Sequence, residues 1–226
     1  MRVEGADRVR TALAGLAHGA RVLDIGGGTG AHSEVMRTEG FVPVLVDPSA
    51  AQRAKAHGRR LQVVGGVSQR LPFSDHSFDM AYFHLSLHYG DWLDAVTEAV
   101  RVVRPGGKVW IWTFTRNYLE TSFTGRWFPS VREHDVRRFP DVAVVADHFA
   151  SSGMERVALG GIVERVERTV AEWEEAFRAR FVSTLQLIED DELEEGVKVF
   201  RSAHPDGAEP VVAGLEFVSI SAWVPG

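Results

Sequence analysis

The chain has no cysteine among its 226 residues, which excludes disulfides, thiolate metal ligands and a cysteine nucleophile. It has no apolar run long enough to cross a bilayer, so no membrane partner is expected. It has no surplus of basic charge: 25 Lys and Arg stand against 31 Asp and Glu, a formal net charge of −6. Broad contact with a phosphate backbone needs clustered cations, so nucleic acid is not an expected partner. Repeats and low-complexity tracts are absent. The opening stretch Met1 to Asp7 carries acids and no apolar signal core, so export is not expected and the cytoplasm is the default location. Histidines do not pair at helical spacing beside a carboxylate, so no metal site is expected. What remains is a globular composition, 45% hydrophobic and 25% charged. That length suits a single domain over residues 1–226 acting on a small molecule.

The apolar pattern switches repeatedly between short runs and helical spacing, the mark of an α/β chain with a doubly wound parallel sheet. Arg21 to Ile25 reads as a strand stopped by glycines, and Ala31 to Glu39 as the helix that follows. Val42 to Val46 is a second strand. Ser49 then caps a helix, with Gln52 three residues on completing a capping box. Leu61 to Val64 and Phe78 to Phe83 are strands three and four, and Asp91 caps a helix whose Trp92, Ala95, Val96, Ala99 and Val103 share a face. Arg104-Pro105-Gly106-Gly107 reads as a sharp turn into a fifth strand, Lys108 to Phe114. Val142 to Ser152 is a helix ending at Gly153, and Glu155 to Leu159 a sixth strand. Val163, Val166, Val170, Trp173, Phe177 and Phe181 recur at spacings of three and four, which predicts one long amphipathic helix. An acidic-started helix near Asp191 to Phe200, a turn at His204 to Gly207 and a last strand, Leu215 to Trp223, returning to the sheet edge complete the reading. The segments of about 115–140 and 163–209 are the variable parts, the second a helical insertion before the last strand.

The most informative segment is Val22-Leu23-Asp24-Ile25-Gly26-Gly27-Gly28-Thr29-Gly30. A glycine turn between strand and helix, at the carboxyl ends of a parallel sheet, is where such folds hold a cofactor. Gly26, Gly28 and Ala31 also satisfy a loose dinucleotide pattern. Asp24 speaks against that reading, because a carboxylate is poorly placed beside a pyrophosphate and well placed beside an ammonium group. Gly30 also comes one residue early for the dinucleotide fingerprint, and no phosphate-loop Lys-Ser/Thr pair follows.

Four further segments follow in order: Val44-Leu45-Val46-Asp47, then Leu71-Pro72-Phe73-Ser74-Asp75-His76-Ser77-Phe78-Asp79, then Leu87-His88-Tyr89, and Arg101-Val102-Val103-Arg104-Pro105-Gly106-Gly107. With the glycine segment they resemble the class I S-adenosylmethionine (SAM)-dependent methyltransferases, in the small-molecule group that includes quinone-biosynthesis C-methyltransferases. The resemblance covers roughly residues 22–114. It implies a Rossmann-like seven-stranded sheet in the order 3-2-1-4-5-7-6 with strand seven antiparallel. It also implies SAM as cofactor and S-adenosylhomocysteine as product. Asp47 would accept both ribose hydroxyls and Asp24 would meet the methionine end. Gly26 and Gly28, with Gly27 and Gly30 in the same loop, would allow close backbone approach. Pro48 would wall the adenine, and His84 would lie near the cofactor from strand four. Many relatives carry an acid before the Leu-Pro-Phe segment to hold the adenine amine. Here the chain reads Gly66-Val67-Ser68-Gln69, so Val67 and Ser68 take that place.

His88 is the first candidate for a general base and His84 the second, since an imidazole titrates near neutrality. Trp127, Phe128, Trp173, Phe177 and Phe181 are read as core, with a substrate wall as the rival reading. The expected activity is methyl transfer to an oxygen, nitrogen or carbon nucleophile of a small, partly apolar metabolite. The alternatives are a SAM-binding protein of the same fold without methyl transfer and, further off, a nicotinamide-dependent oxidoreductase or a nucleic-acid methyltransferase.

Overall fold

The structure is a computed structural model that describes residues 5–226; the first four residues of the acid-bearing opening stretch lie outside the described residues. α1 (Ala6–Leu13) precedes β1 (Arg21–Ile25), α2 (Ala31–Thr38), β2 (Val42–Asp47), α3 (Ala50–Gly58), β3 (Gln62–Gly65) and β4 (Phe78–His84). α4 (Trp92–Val102), β5 (Val103–Phe114), α5 (Arg116–Thr121), α6 (Phe123–Trp127), α7 (Pro129–Arg138) and α8 (Val142–Ser151) follow. β6 (Glu155–Thr169), α9 (Val170–Arg178), a 3-10 turn (Ser183–Leu187), α10 (Asp190–Ala203) and β7 (Pro210–Trp223) end the chain. The seven strands form one sheet in the order β3-β2-β1-β4-β5-β7-β6. β1 to β5 pair in parallel. β7 is antiparallel, and the residue after it, Val224, exchanges backbone bonds with Gly106 and Gly107 at 3.0 and 2.9 Å.

Two compact units make up the chain. The first holds Met1–Thr113, Val142–Gly160 and Val218–Gly226, and the second Phe114–Asp141 and Gly161–Phe217. In the first, the central strands are covered on both faces, which is why β1 reads as a near-continuous apolar run rather than an alternation. Leu23, Ile25, Phe78, Phe83, Val109 and Ile111 are at most 1% exposed, each such side chain stabilising by about 1.5–3 kcal/mol. Asp91 accepts from the Leu93 and Asp94 amides at 2.9 and 3.1 Å and so starts α4, whose Ala95, Val96, Ala99 and Val102 are buried. The same helix carries Arg101, which donates to the carbonyls of Leu71 and Phe73 and to Glu98 and Asp75. Glu98 in turn accepts from the Leu71 amide at 2.8 Å. The Leu-Pro-Phe-Ser-Asp segment is thereby tied to α4. Asp79 accepts from the Arg21 amide at 2.6 Å and pairs with Arg104, which joins the starts of β1 and β4 to the Arg-Pro-Gly-Gly segment.

Four expectations need correction. Arg104-Pro105-Gly106-Gly107 is not a turn ahead of the fifth strand but a bulge within β5. Phe78 pairs with Val103 and Met80 with Lys108, so the partner strand gains residues there, with Gly106 at a φ of 73°. The helix predicted from Val163 onward begins only at Val170, and the sixth strand runs on to Thr169. From Ile162 to Arg168 the burial alternates, with Val163, Arg165 and Glu167 exposed, which is strand period. The boundary carries a signal: the Thr169 hydroxyl accepts from the Glu172 amide at 3.3 Å while Glu172 accepts from the Thr169 amide at 2.8 Å, a complete capping box. At Ser49 only half of one forms. Its hydroxyl accepts from the Gln52 amide, whereas the Gln52 side-chain oxygen is buried without a partner among the described residues. Finally, β7 lies inside the sheet between β5 and β6 rather than at its edge.

The second unit has its own apolar centre, with Phe128, Val131, Val170, Trp173, Phe177 and Phe200 at most 2% exposed. The Trp173 indole donates to the Val211 carbonyl at 2.9 Å, so its polar atom is satisfied. Replacing Thr169 by Ala removes the side-chain half of the α9 cap. Urea unfolding followed by tryptophan fluorescence should show a loss of about 1 kcal/mol; an unchanged midpoint would mean the box contributes nothing.

Candidate functional site

β1 delivers the chain into the turn Gly26–Gly30, and β2 ends beside it at Asp47. The Asp47 carboxylate is 7% exposed and bridges two backbone segments. One oxygen accepts from the Gly28 amide at 3.0 Å and the other from the Ser49 amide at 2.8 Å. Each carboxylate oxygen has two lone-pair positions, so both keep one for a further donor. Gly26 adds a bond to the Val46 carbonyl at 2.8 Å. Gly28 has a φ of 57° and nothing within 4 Å of where a Cβ would stand; its left-handed backbone faces open space. Gly30 shares the positive φ, whereas Gly27 is a packing glycine, since a Cβ there would meet Asp24 and Leu45 at 2.7 Å.

A cavity of about 200 Å³ opens over this turn, lined among others by Asp24, Gly26, Gly27, Gly28, His32 and His84. Asp24 is 1% exposed and accepts from the Ser33 hydroxyl at 2.6 Å. Its pKa is pushed up to about 6, first by burial and further by the Asp47 charge, against the opposing Ser33 bond. His84 stands at the end of β4 with its ring edge-on to His32, centroids 4.1 Å apart. The Tyr82 hydroxyl lies 3.0 Å from His32 Nδ1. Burial first, then the Arg8 charge, pushes His32 down to about 3, and burial, His32 and Arg8 hold His84 well below the usual imidazole range. Burial, with the Asp24 charge, raises the Tyr82 phenol well above its usual value. Tyr82 and His32 thus share one hydrogen bond between a neutral phenol and a neutral imidazole. The wall that the two imidazoles form is neutral.

Asp24, the glycines, His84 and Asp47 are thus brought to one place. His88 is buried, packed at 4.2 Å against the Tyr89 ring, and is not among the residues lining that cavity. Pro48 is exposed beside Asp47. Val67 is exposed and forms a tight bridge with Arg70, while Ser68 is half-buried. Phe128, Trp173 and Phe177 are core of the second unit; Phe181 is 42% exposed and Trp127 half-buried. Sequence reasoning passed over His32, Ser33 and Tyr82. The signal for the first two was their position in the opening turn of the helix after the glycines, and for Tyr82 its place two residues before His84 on the same strand face. No group of three or more His, Asp and Glu able to hold a metal occurs among the described residues, and no helix among them is long and apolar enough to cross a membrane.

A model of a methyltransferase domain matches residues 23–111. The chain is 31% identical over 178 residues to a demethylmenaquinone methyltransferase of Mycolicibacterium paratuberculosis, covering 68% of this chain and 77% of that one. It is 27% identical to the protein of the same name in Corynebacterium kroppenstedtii, covering 64% and 74%. Among solved structures, a putative methyltransferase from an antibiotic biosynthesis pathway of Anabaena variabilis superposes with a TM-score of 0.75 at 20% identity, over 96% of this chain and 98% of that one. Phosphoethanolamine N-methyltransferase 2 of Haemonchus contortus, in complex with S-adenosyl-L-methionine, gives 0.63 at 16% identity, over 98% and 52%. These likenesses place the fold.

The Asp24 geometry has a consequence for stability. The folded state keeps the Asp24 proton up to a pH of about 6, whereas the ordinary carboxyl value is 3.8, so between those limits the folded state binds more protons. Its contribution to stability therefore falls as pH rises through this window, by about 3 kcal/mol in all, and is flat above it. Denaturant titrations from pH 4 to 7 should show this fall in wild type relative to Asp24→Asn; parallel curves for the two proteins would refute it.

Proposed function

Because the chain belongs to the class I SAM-dependent methyltransferase family, we propose that it transfers the SAM methyl group to a nucleophile on a small, partly apolar metabolite, with the cofactor held at the Gly26–Gly30 turn. The observation that carries the placement is the Asp47 carboxylate, fixed from two sides by the Gly28 and Ser49 amides. Its two remaining lone-pair positions suit a pair of vicinal hydroxyls such as a ribose presents. The residues present fit the group: the backbone at Gly28 is open, where a Cβ would fill the space, and an acid, Asp24, is among the residues lining the cavity.

When bound, SAM supplies a methyl carbon whose bond to sulfur breaks as the bond to the nucleophile forms, leaving neutral S-adenosylhomocysteine. Asp47 would hold the ribose. Asp24, whose burial raises its pKa to about 6, would gain an ammonium partner that draws its pKa down again. Pro48 gives an apolar surface next to Asp47, and Val67 and Ser68 stand in for the acid that many relatives have at the adenine. Gly26, Gly27, Gly28 and Gly30 shape the turn. His84, held neutral by burial and neighbouring positive charge, serves as an uncharged wall and is a poor base. His88 remains the first candidate to accept a proton. The principal contribution of these residues is to fix the donor and keep the reacting centre dry and aligned.

The relatives' name makes demethylmenaquinone the first acceptor to try, although oxygen, nitrogen and carbon nucleophiles all suit displacement at the methyl carbon. A SAM-binding protein without transfer would share every cofactor contact, and turnover separates the two. Incubation with SAM and demethylmenaquinone, then with metabolite pools, should yield a product heavier by one methyl group and an equal amount of S-adenosylhomocysteine. On the identified acceptor, His88→Ala should lower kcat about 10²-fold or more if His88 is the base. Absence of any methylated product favours the non-transferring reading, and unchanged turnover in His88→Ala removes the base assignment.

A further inference from the structure

A second cavity of the first unit, larger than that at the glycine turn, lies away from it. About 590 Å³ opens at the other end of the sheet, where β1 and β4 begin, and the five residues of β1 separate the two by roughly 16 Å. One wall is the connector of residues 14–20 between α1 and β1; the others carry Lys108, Arg156, Arg104, Asp79 and Trp223. Among the described residues that line it, Asp79 is the one acid. Its oxygens are already engaged by Arg104 and the Arg21 amide, which leaves the charges of Lys108 and Arg156 uncompensated by the lining.

Lys108 is 2% exposed. Its ammonium donates to the Ala14 carbonyl at 2.9 Å and sits over the rings of Trp110 and Trp223 at 5.2 and 5.6 Å. The Arg156 guanidinium lies 5.9 Å from the Trp223 ring. One carbonyl and two aromatic faces are a thin set of partners for a buried ammonium. Burial accordingly lowers its pKa to about 8.

We propose that this cavity is a binding site for a compact dianion, a phosphate- or carboxylate-bearing small molecule, held by Lys108 and Arg156 and separate from the cofactor turn. Two uncompensated cations match two negative charges. The planar guanidinium takes an oxyanion in a bidentate fashion, and the ammonium meets it as a point charge. The Trp223 ring is flanked by both cations, so recognition requires no ring on the ligand. The site stands independently of the methyl-transfer reading.

Sulfate and succinate are suitable probes because neither titrates near pH 8, and they separate a tetrahedral oxyanion from a dicarboxylate. Calorimetry on the full chain at pH 8, in two buffers of different ionisation enthalpy, should show one-site binding of at least one probe. It should also show uptake of a fraction of a proton, since the anion raises the Lys108 pKa. Arg156→Ala should weaken binding about tenfold or more while leaving S-adenosylhomocysteine affinity unchanged. Lys108→Met should abolish the proton uptake; should that variant fail to fold, Arg156→Ala carries the test. No heat from either probe, or binding indifferent to Arg156→Ala, would overturn the proposal.

Discussion

One carboxylate holds the turn on which the candidate site is built. Asp47 ends β2, and through the Gly28 and Ser49 amides it fixes the glycine turn to the start of α3. Backbone bonds from Gly26 to Val46 and from Gly30 to Gly27 hold the rest of the turn; its backbone takes left-handed conformations at Gly26, Gly28 and Gly30, and it presents open space above Gly28. A neutral side chain at position 47 could bond one of the two amides well but would not draw both with charge-assisted bonds. The parallel pairing of β1 with β2 and β4 brings Asp47, Asp24 and His84 to the same end of the sheet, where an open α/β fold places its ligands.

The two acids of the site live under opposite conditions. Asp47 is surrounded by amide donors, whereas Asp24 is buried against Gly27 with Ser33 as its hydrogen-bond partner, and burial raises its pKa to about 6, so its charge is costly there. A cationic group arriving in the cavity would recover that cost, while an anionic pyrophosphate would increase it. The imidazoles of His32 and His84, kept neutral beside Arg8, add no positive charge to oppose a sulfonium. The electrostatics of the cavity thus agree with the family to which the chain belongs.

Much of this was legible in the sequence because local and global signals agreed there. The glycine run after an apolar strand, the Asp47 position and the Asp91 cap each follow from short-range chemistry. Strand order came from family resemblance rather than from periodicity. The failures lie where two periods fit the same residues. Val163, Val166 and Val170 satisfy helical spacing, yet Ile162 to Arg168 also alternate, and the Thr169–Glu172 box that marks the boundary was overlooked. Arg-Pro-Gly-Gly has turn composition, yet its residues are held in β5 as a bulge. His32 and Tyr82 could not be joined from sequence because their bond spans fifty residues and depends on α2 packing near β4.

The central claim, that the turn held by Asp47 binds the cofactor, is tested most directly by calorimetric titration of S-adenosylhomocysteine, set beside NADH, on wild type and Asp47→Ala. If Asp47 holds the ribose, its removal costs the bonds to the cofactor and releases the Gly28 and Ser49 amides; the account predicts clear binding of S-adenosylhomocysteine by wild type. It predicts no binding of NADH and a weakening of about 10²-fold or more in the variant. Equal affinity of wild type and Asp47→Ala for S-adenosylhomocysteine, or binding of NADH in its place, would contradict the account.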